Sequence, residues 1–88
     1  MELTIKCTEN WKKPPNYSTT FLYEEYIIEL DYNYDKDECN VKVDESEHIY
    51  GNNETLDKLV DGLSTSMIGL EWKDCEVGEE FTINPDHL

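Results

Sequence analysis

The sequence predicts an α+β fold in which a small antiparallel β-sheet of about four or five strands packs against one main helix, in the order β-β-β-α-β(-β). Polar and apolar residues alternate near the start of the chain, runs of aromatic and β-branched residues follow, and one later stretch has helical periodicity. A chain of 88 residues has the usual length of one domain, so we expect a single acidic α+β domain over residues 1–88.

The first strand is predicted at residues 1–8, because apolar side chains occupy every second position there. These side chains are Leu3, Ile5 and Cys7. A loop is predicted from there to Thr20, since the adjacent prolines at 14–15 cannot continue a helix or donate hydrogen bonds to a central β ladder. We expect Trp11 and Tyr17 to anchor this loop on the core.

A long second strand is predicted from Phe21 to Tyr34, because aromatic and β-branched residues dominate this stretch. Asn and Asp residues between positions 33 and 38 predict a turn. Alternating apolar residues then predict a third strand at 39–43. The second and third strands are expected to pair as an antiparallel hairpin.

One helix is predicted after Asn52 and Asn53, which are favourable N-cap residues. Apolar residues then recur with the spacing i, i+3, i+4 and i+7, at Leu56, Leu59, Val60 and Leu63. The pattern leaves the end of the helix open between positions 62 and 69. Further apolar positions, at 70–72 and 77–83, predict one or two strands that close the sheet.

The chain carries 21 acidic residues against seven lysines and no arginine, a formal net charge of −14. Two glutamates and three lysines give residues 1–20 a net charge of +1, so the excess lies after them. It is densest at 31–47, with a net charge of −5, and at 71–80, with −4. Such a charge indicates either a surface for a basic partner or a contribution to solubility alone. Direct binding of nucleic acid is not expected, because affinity for phosphates comes from Lys and Arg.

The predicted partner-binding residues are the carboxylates of these two stretches, with polar and aromatic neighbours at the hairpin tip. They are Asp31, Asn33, Tyr34, Asp35, Asp37, Glu38, Asp44, Glu45, Glu47, Glu79 and Glu80. Same-face neighbours on one strand lie about 6.6–6.8 Å apart, whereas DNA phosphates recur about every 3.4 Å on each strand. A hairpin with carboxylates on both strands approaches that density more closely. The alternative interpretation is that these side chains form solvated turns and faces.

No catalytic or metal-binding set is predicted. The Asp31-x-Asn33-x-Asp35 pattern matches the first three ligand positions of an EF-hand loop, but lysines occupy the sixth and twelfth positions. A weak divalent-ion site and a simple Asn/Asp-rich turn both remain open there. The three cysteines lack the close spacing of zinc ligands and are expected to be reduced core residues. We therefore predict no enzymatic activity and no cofactor.

The sequence also predicts a cytoplasmic protein that does not contact a membrane. It contains no apolar run of about 20 residues, and its first residues lack the basic start and apolar core of a secretory signal.

In size, charge and arrangement the chain resembles small, very acidic phage-encoded inhibitors, which include uracil-DNA glycosylase inhibitors and several anti-CRISPR proteins. The resemblance rests on an acidic hairpin from Tyr26 to Asp44, followed by Glu45-Ser46-Glu47 and the helix at Leu56 to Leu63. This order is similar to that of one inhibitor of the RNA-guided nuclease of type II CRISPR systems, and it covers about half of the chain. It implies an inhibitor whose carboxylates take the place of DNA phosphates on the basic surface of a nuclease.

Two other functions remain open at this point. An immunity protein that neutralises a bacterial nuclease toxin is also small and acidic, and it too would bind a basic protein. An accessory phage protein whose charge serves only solubility would form no saturable complex.

Overall fold

The structure is a computed structural model that describes residues 2–65 and 75–84. Over these residues it contains six strands and one helix. They are β1 (Leu3–Lys13), β2 (Asn16–Tyr23), β3 (Tyr26–Asn33), β4 (Glu38–Val43), β5 (Ser46–Glu47), α1 (Glu54–Thr65) and β6 (Glu80–Ile83). The predicted α+β class is confirmed, with more strands than the four or five predicted.

The strands form one antiparallel sheet in the order β5-β4-β3-β2-β1-β6. β1 to β5 follow one another through tight turns, whereas β6 comes after the helix and pairs with β1 at the far edge of the sheet. The β1–β2 and β3–β4 turns therefore lie at one end of the sheet, here called the proline end. The β2–β3 and β4–β5 turns lie at the opposite end, here called the acidic end.

The core lies between one face of the sheet and α1, which packs against β3 and β4. Phe21 and Ile28 are directly opposite on β2 and β3, and both are fully buried with Leu59 of the helix. The Phe21 and Phe81 rings meet edge to face with centroids 6.3 Å apart, which joins β6 to the same core. The other face of the sheet is here called the far face. Side chains that point to it alternate along each strand with those that point to the core.

The loop predicted up to Thr20 is wrong, because these residues form a hairpin. Lys13 and Asn16 pair across the two prolines, which are joined by a cis peptide bond. The prolines occupy only the turn, where no ladder donor is needed, so the strands continue on both sides of them. The prediction that Trp11 is anchored on the core is also wrong, since its side chain is 53% exposed. Tyr17 is half-buried against the ring of Tyr34.

The single second strand predicted from Phe21 to Tyr34 is wrong as well. The chain turns at Glu24 and Glu25, and Tyr23 pairs with Tyr26 on the next strand. Glu24 takes a left-handed backbone conformation with φ 53°, which favours Gly, Asn or Asp. Because the sequence offers none of these residues here, no turn is apparent in it.

The third predicted strand and its hairpin are confirmed. Ile28 pairs with Val43 at one end of the β3–β4 ladder and Asn33 pairs with Glu38 at the other. The predicted closing strand is confirmed at Glu80–Ile83. The possible strand at 70–72 lies outside the described residues.

The helix is confirmed with its predicted start. The Oδ1 atom of Asn53 accepts a hydrogen bond from Leu56 N at 3.1 Å, the geometry of an N-cap. Gly62 is buried within α1 and does not end it. The helix extends at least to Thr65, and any continuation lies outside the described residues. Within residues 2–65 and 75–84, no helix has the length and apolar run needed to cross a membrane.

The segment before α1 is held to the helix by polar contacts. His48 Nε2 lies 2.7 Å from Asp57 Oδ1, and Gly51 N donates to Asp57 Oδ2 at 3.0 Å. The Gly51 N–H and, to a smaller extent, His48 lower the pKa of the Asp57 carboxyl. Tyr50 donates to Asp61 Oδ1 at 2.8 Å, and its pKa rises to about 12 through burial and this hydrogen bond. These contacts fix the position of the helix relative to β5.

A β-bulge interrupts β1 between Cys7 and Glu9. Cys7 faces the core opposite Phe21, whereas Glu9 pairs with Thr20 on the far face. The extra residue is Thr8, whose hydroxyl donates to Thr20 O at 3.3 Å. The strict alternation expected for residues 1–8 therefore ends at the bulge, and Glu9 remains outside the core.

Candidate protein-binding surface

The structure distributes the predicted partner-binding residues over several parts of the sheet. The proline end carries five of them, Asn33, Tyr34, Asp35, Asp37 and Glu38. The acidic end carries Asp44 and Glu45, which form a turn, and the far face carries Asp31. Edge strand β5 carries Glu47, and the opposite edge of the sheet lies beside Glu79 and Glu80. They do not form one continuous surface.

At the proline end, lysines offset the acidic charge. Tyr34 N donates to Pro15 O at 2.9 Å, which places the β1–β2 turn beside the β3–β4 turn. Lys12, Lys13 and Lys36 therefore share this end with Asp35, Asp37 and Glu38. The local formal charge is zero, although the sequence segment 31–47 alone is strongly negative.

Several of the predicted residues at the proline end stabilise the turn itself. Tyr32 donates to Asp37 Oδ1 at 2.6 Å, and this hydrogen bond is the main reason that the pKa of Tyr32 rises to about 12. Asn33 Oδ1 accepts a hydrogen bond from Lys36 N at 3.0 Å. The Tyr34 ring meets Tyr17 and Tyr32 edge to face, with centroids 5.1 and 5.2 Å apart. These contacts support the Asn/Asp-rich turn interpretation.

The acidic end brings together four carboxylates from two turns. Glu24 and Glu25 connect β2 to β3, and Asp44 and Glu45 connect β4 to β5. Asp44 N donates to Ile27 O at 2.8 Å, which holds the second turn beside the start of β3. All four side chains are exposed, and in the described part of the chain none of them takes part in an ion pair.

An apolar pair lies on the far face next to the acidic end. Leu22 and Ile27 are directly opposite on β2 and β3, and they are 37% and 48% exposed. They line a shallow depression of about 420 Å³ together with the carboxylate-bearing residues Glu9, Glu29 and Glu45. We call Leu22, Ile27 and these three glutamates the Leu22–Ile27 surface. Glu45 belongs to both regions and makes them continuous.

Most residues of this surface were missed in the sequence. Glu45 was predicted, but Leu22 and Ile27 became neighbours only through the unrecognised turn at Glu24 and Glu25. Glu9 faces the depression only because of the β-bulge. The available signal was the alternation of Ile27 with Glu25 and Glu29, which places an apolar side chain on an otherwise acidic face.

The Cys7 and Cys39 thiols are poorly suited to nucleophilic chemistry. Burial raises the pKa of the Cys7 and Cys39 thiols, with smaller contributions from Glu79 and Asp31 respectively. A thiol acts as a nucleophile or metal ligand through its thiolate form, which these environments disfavour. Among residues 2–65 and 75–84, no group of three or more His, Cys, Asp or Glu side chains is arranged to hold a metal ion.

Comparisons with known proteins add no further assignment. No family model, curated protein or solved structure matches this chain.

Proposed function

We propose that this protein is a non-catalytic inhibitor that binds the basic, nucleic-acid-binding surface of a nuclease, with a CRISPR effector as the specific target class. The observation that carries the proposal is the exposed Leu22–Ile27 pair, which shares a depression with three glutamates and is continuous with the acidic end. Lys6 and Lys42 are the cross-strand neighbours of Leu22 and Glu29 on this face. The partner is a basic protein, and the protein acts in the cytoplasm, where cysteine thiols remain reduced.

The combination of apolar and acidic side chains favours a binding surface over a role in solubility alone. Protein interfaces typically have a desolvated centre and a polar, charged rim. Charge that serves only solubility does not require two large apolar side chains to be exposed side by side on a strand pair. The carboxylates around Leu22 and Ile27 complement lysines and arginines, and such complementarity mainly raises the rate of association.

The acidic end supports competition with DNA. Two adjacent turns carry carboxylates at consecutive positions, so negative charge is denser here than along one face of a single strand. A basic groove that binds phosphates would make charge-assisted hydrogen bonds with these carboxylates. Binding is therefore expected to weaken as the ionic strength rises.

The test uses two immobilised nucleases, an RNA-guided type II CRISPR nuclease and the basic nuclease domain of a bacterial toxin. Binding of the wild-type protein is measured at low and high salt, with and without competing DNA. We expect saturable, salt-sensitive binding to the CRISPR nuclease that DNA prevents. Binding only to the toxin domain would favour an immunity protein, and binding to neither would favour the solubility role.

Two matched pairs of variants locate the surface. The double substitution E24K/E45K changes the charge at the acidic end by the same amount as D35K/E38K at the proline end. We expect the first to weaken binding by at least about tenfold more than the second, equivalent to about 1.4 kcal/mol. Similarly, I27S is expected to weaken binding more than I49S, although Ile49 is 73% exposed and Ile27 only 48%. Equal losses within each pair would contradict the assignment of this surface.

A further inference from the structure

One edge of the sheet is only partly paired. β5 pairs with β4 at Lys42 and Val43 alone. In the described residues, β4 from Glu38 to Val41 has β3 on one side and no strand on the other. An exposed sheet edge of this kind presents backbone N–H and C=O groups that another chain can pair with.

The direction of these backbone groups follows from the ladder. Asp44 N donates to Ile27 O, so the backbone of residue 44 faces β3. The backbone direction alternates along an antiparallel strand, so Lys42 and Asn40 also bond toward β3. Cys39 and Val41 therefore point their N–H and C=O groups to the outer side, as Val43 does where it pairs with Ser46 of β5. Within residues 2–65 and 75–84, no strand pairs with Cys39 or Val41 on this outer side, directly next to the short strand β5.

A groove of about 500 Å³ runs along this edge. On the side of the helix it is lined by Val41, Val60 and the exposed ring of Tyr50, with His48 and Ser64 beside them. On the side of the far face it is lined by Asp31, Lys42 and Glu47. Side chains of an added strand alternate between these two sides. The helix side accommodates apolar side chains, and the far-face side, with two carboxylates and one lysine, favours basic ones.

We propose that the β4 edge binds an extended segment of a partner protein in which apolar and basic residues alternate, and that this segment adds to the sheet as a strand beside Cys39 and Val41. Backbone hydrogen bonds provide affinity in this mode of recognition, and the alternate side chains provide specificity. A second copy of this chain is a poorer occupant, because two molecules each with a formal charge of −14 repel one another. This inference does not depend on the proposed nuclease target, since it concerns a different part of the molecule.

The test uses the full-length protein and a blocked synthetic peptide of alternating lysine and valine, six residues long. Amide hydrogen exchange is followed by NMR as the peptide is added. We expect saturable protection of the Cys39 and Val41 amides, with at least about tenfold slower exchange. A blocked peptide of alternating glutamate and valine is expected to give no protection.

Substitutions distinguish strand addition from simple charge attraction. Proline at position 41 removes the outward N–H without removing a β3–β4 hydrogen bond, and prolines are tolerated on edge strands. V41P is therefore expected to abolish protection at Cys39, whereas V41T, which keeps the N–H, is expected to retain it. E47K is expected to weaken peptide binding more than E79K, which makes the same change beside the opposite edge. If V41P does not fold, this second pair still tests whether the peptide lies along the β4 edge, and the protection of the Cys39 and Val41 amides in the wild-type protein tests strand addition.

Several results would overturn the proposal. The first two are the absence of saturable protection and protection at the β6 amides of residues 80–83 instead. The third is equal peptide affinity of V41P and V41T when both are folded. The fourth is a concentration-dependent dimer in sedimentation experiments that also protects the Cys39 and Val41 amides. Nuclease binding by the E47K variant measures the proposed function separately, because Glu47 is not part of the Leu22–Ile27 surface.

Discussion

The backbone N–H of Ile27 donates to Oδ1 of Asp44 at 3.0 Å, while the N–H of Asp44 donates to the carbonyl of Ile27 at 2.8 Å. This reciprocal pair joins the first residues of β3 to the β4–β5 turn. It places Ile27, the apolar part of the candidate surface, beside the turn that supplies Glu45. The Asp44 carboxylate therefore has a structural role as well as a charge.

Asp44 tests this role directly. Asp44→Ala removes the acceptor for Ile27 N and leaves alanine at φ 52°, so we expect a loss of about 1–2 kcal/mol in the free energy of unfolding. Asp44→Asn keeps an acceptor oxygen and tolerates the left-handed conformation, so a change below about 0.5 kcal/mol is expected. Urea denaturation measures both. Equal destabilisation by the two substitutions would show that the hydrogen bond contributes little.

The turn at Glu24 allows a gain in stability. A left-handed conformation costs an ordinary L-residue about 1–2 kcal/mol, and glycine largely avoids this cost. We expect Glu24→Gly to raise the free energy of unfolding by about 1 kcal/mol relative to Glu24→Gln, which removes the same charge but keeps a side chain. The comparison by urea denaturation separates backbone strain from charge repulsion. A glycine variant no more stable than the glutamine variant would contradict the argument.

Acid pH is expected to reveal the contacts of the Asp57 carboxylate with Gly51 N and His48. Because Gly51 N and His48 lower the pKa of the folded-state Asp57 carboxyl, their contribution is present above its unfolded-state pKa and is lost as the pH falls through the folded-state value. Thermal unfolding from pH 6 to pH 2 should therefore show a stability difference between wild type and Asp57→Asn that shrinks in acid. A difference that stays constant with pH would exclude a contribution from this titration.

Titration of Tyr32 at alkaline pH tests its contact with Asp37. The pKa of Tyr32 is raised to about 12, mainly by its hydrogen bond to Asp37. The contribution of this hydrogen bond to stability is thus complete below the unfolded-state tyrosine pKa of about 10 and is lost as the pH rises through about 12. Asp37→Asn is expected to bring the Tyr32 titration, followed by NMR of the phenol carbon, toward about 10. Asp35→Asn in the same turn serves as the control and should leave it unchanged.

Local sequence signals predicted the elements that they encode directly. The β3–β4 hairpin has Asn and Asp residues at its turn, and α1 has both an N-cap and a regular apolar spacing. The turn at Glu24 and Glu25 lacks such a signal, so the sequence pattern predicts one strand where the structure has two. The prolines at 14–15 predict a loop. That prediction is wrong because a two-residue turn confines their effect to a place where ladder hydrogen bonds are not required.

The candidate surface was less predictable than the fold. Charge density along the sequence pointed to the β3–β4 tip, but the chain places Lys12 and Lys13 beside that tip through the contact between Tyr34 and Pro15. The exposure of Leu22 and Ile27 depends on cross-strand register, which charge counting does not reveal. Long-range pairing therefore decides which acidic residues share an end of the sheet with Lys12, Lys13 and Lys36.

The β-bulge at Thr8 allows one strand to serve two surfaces. Before it, Cys7 faces the core, and after it Asn10 takes the inward direction that an unbroken strand would have assigned to Glu9. Asn10 donates to Cys75 O at 2.6 Å and accepts from Thr19 Oγ1 at 3.2 Å. If Thr8 instead paired with Thr20 in a ladder without the bulge, Glu9 would turn toward the helix side and Asn10 would lose both contacts. The bulge therefore keeps a carboxylate on the far face and an amide side chain beside Cys75, the residue from which the chain approaches β6.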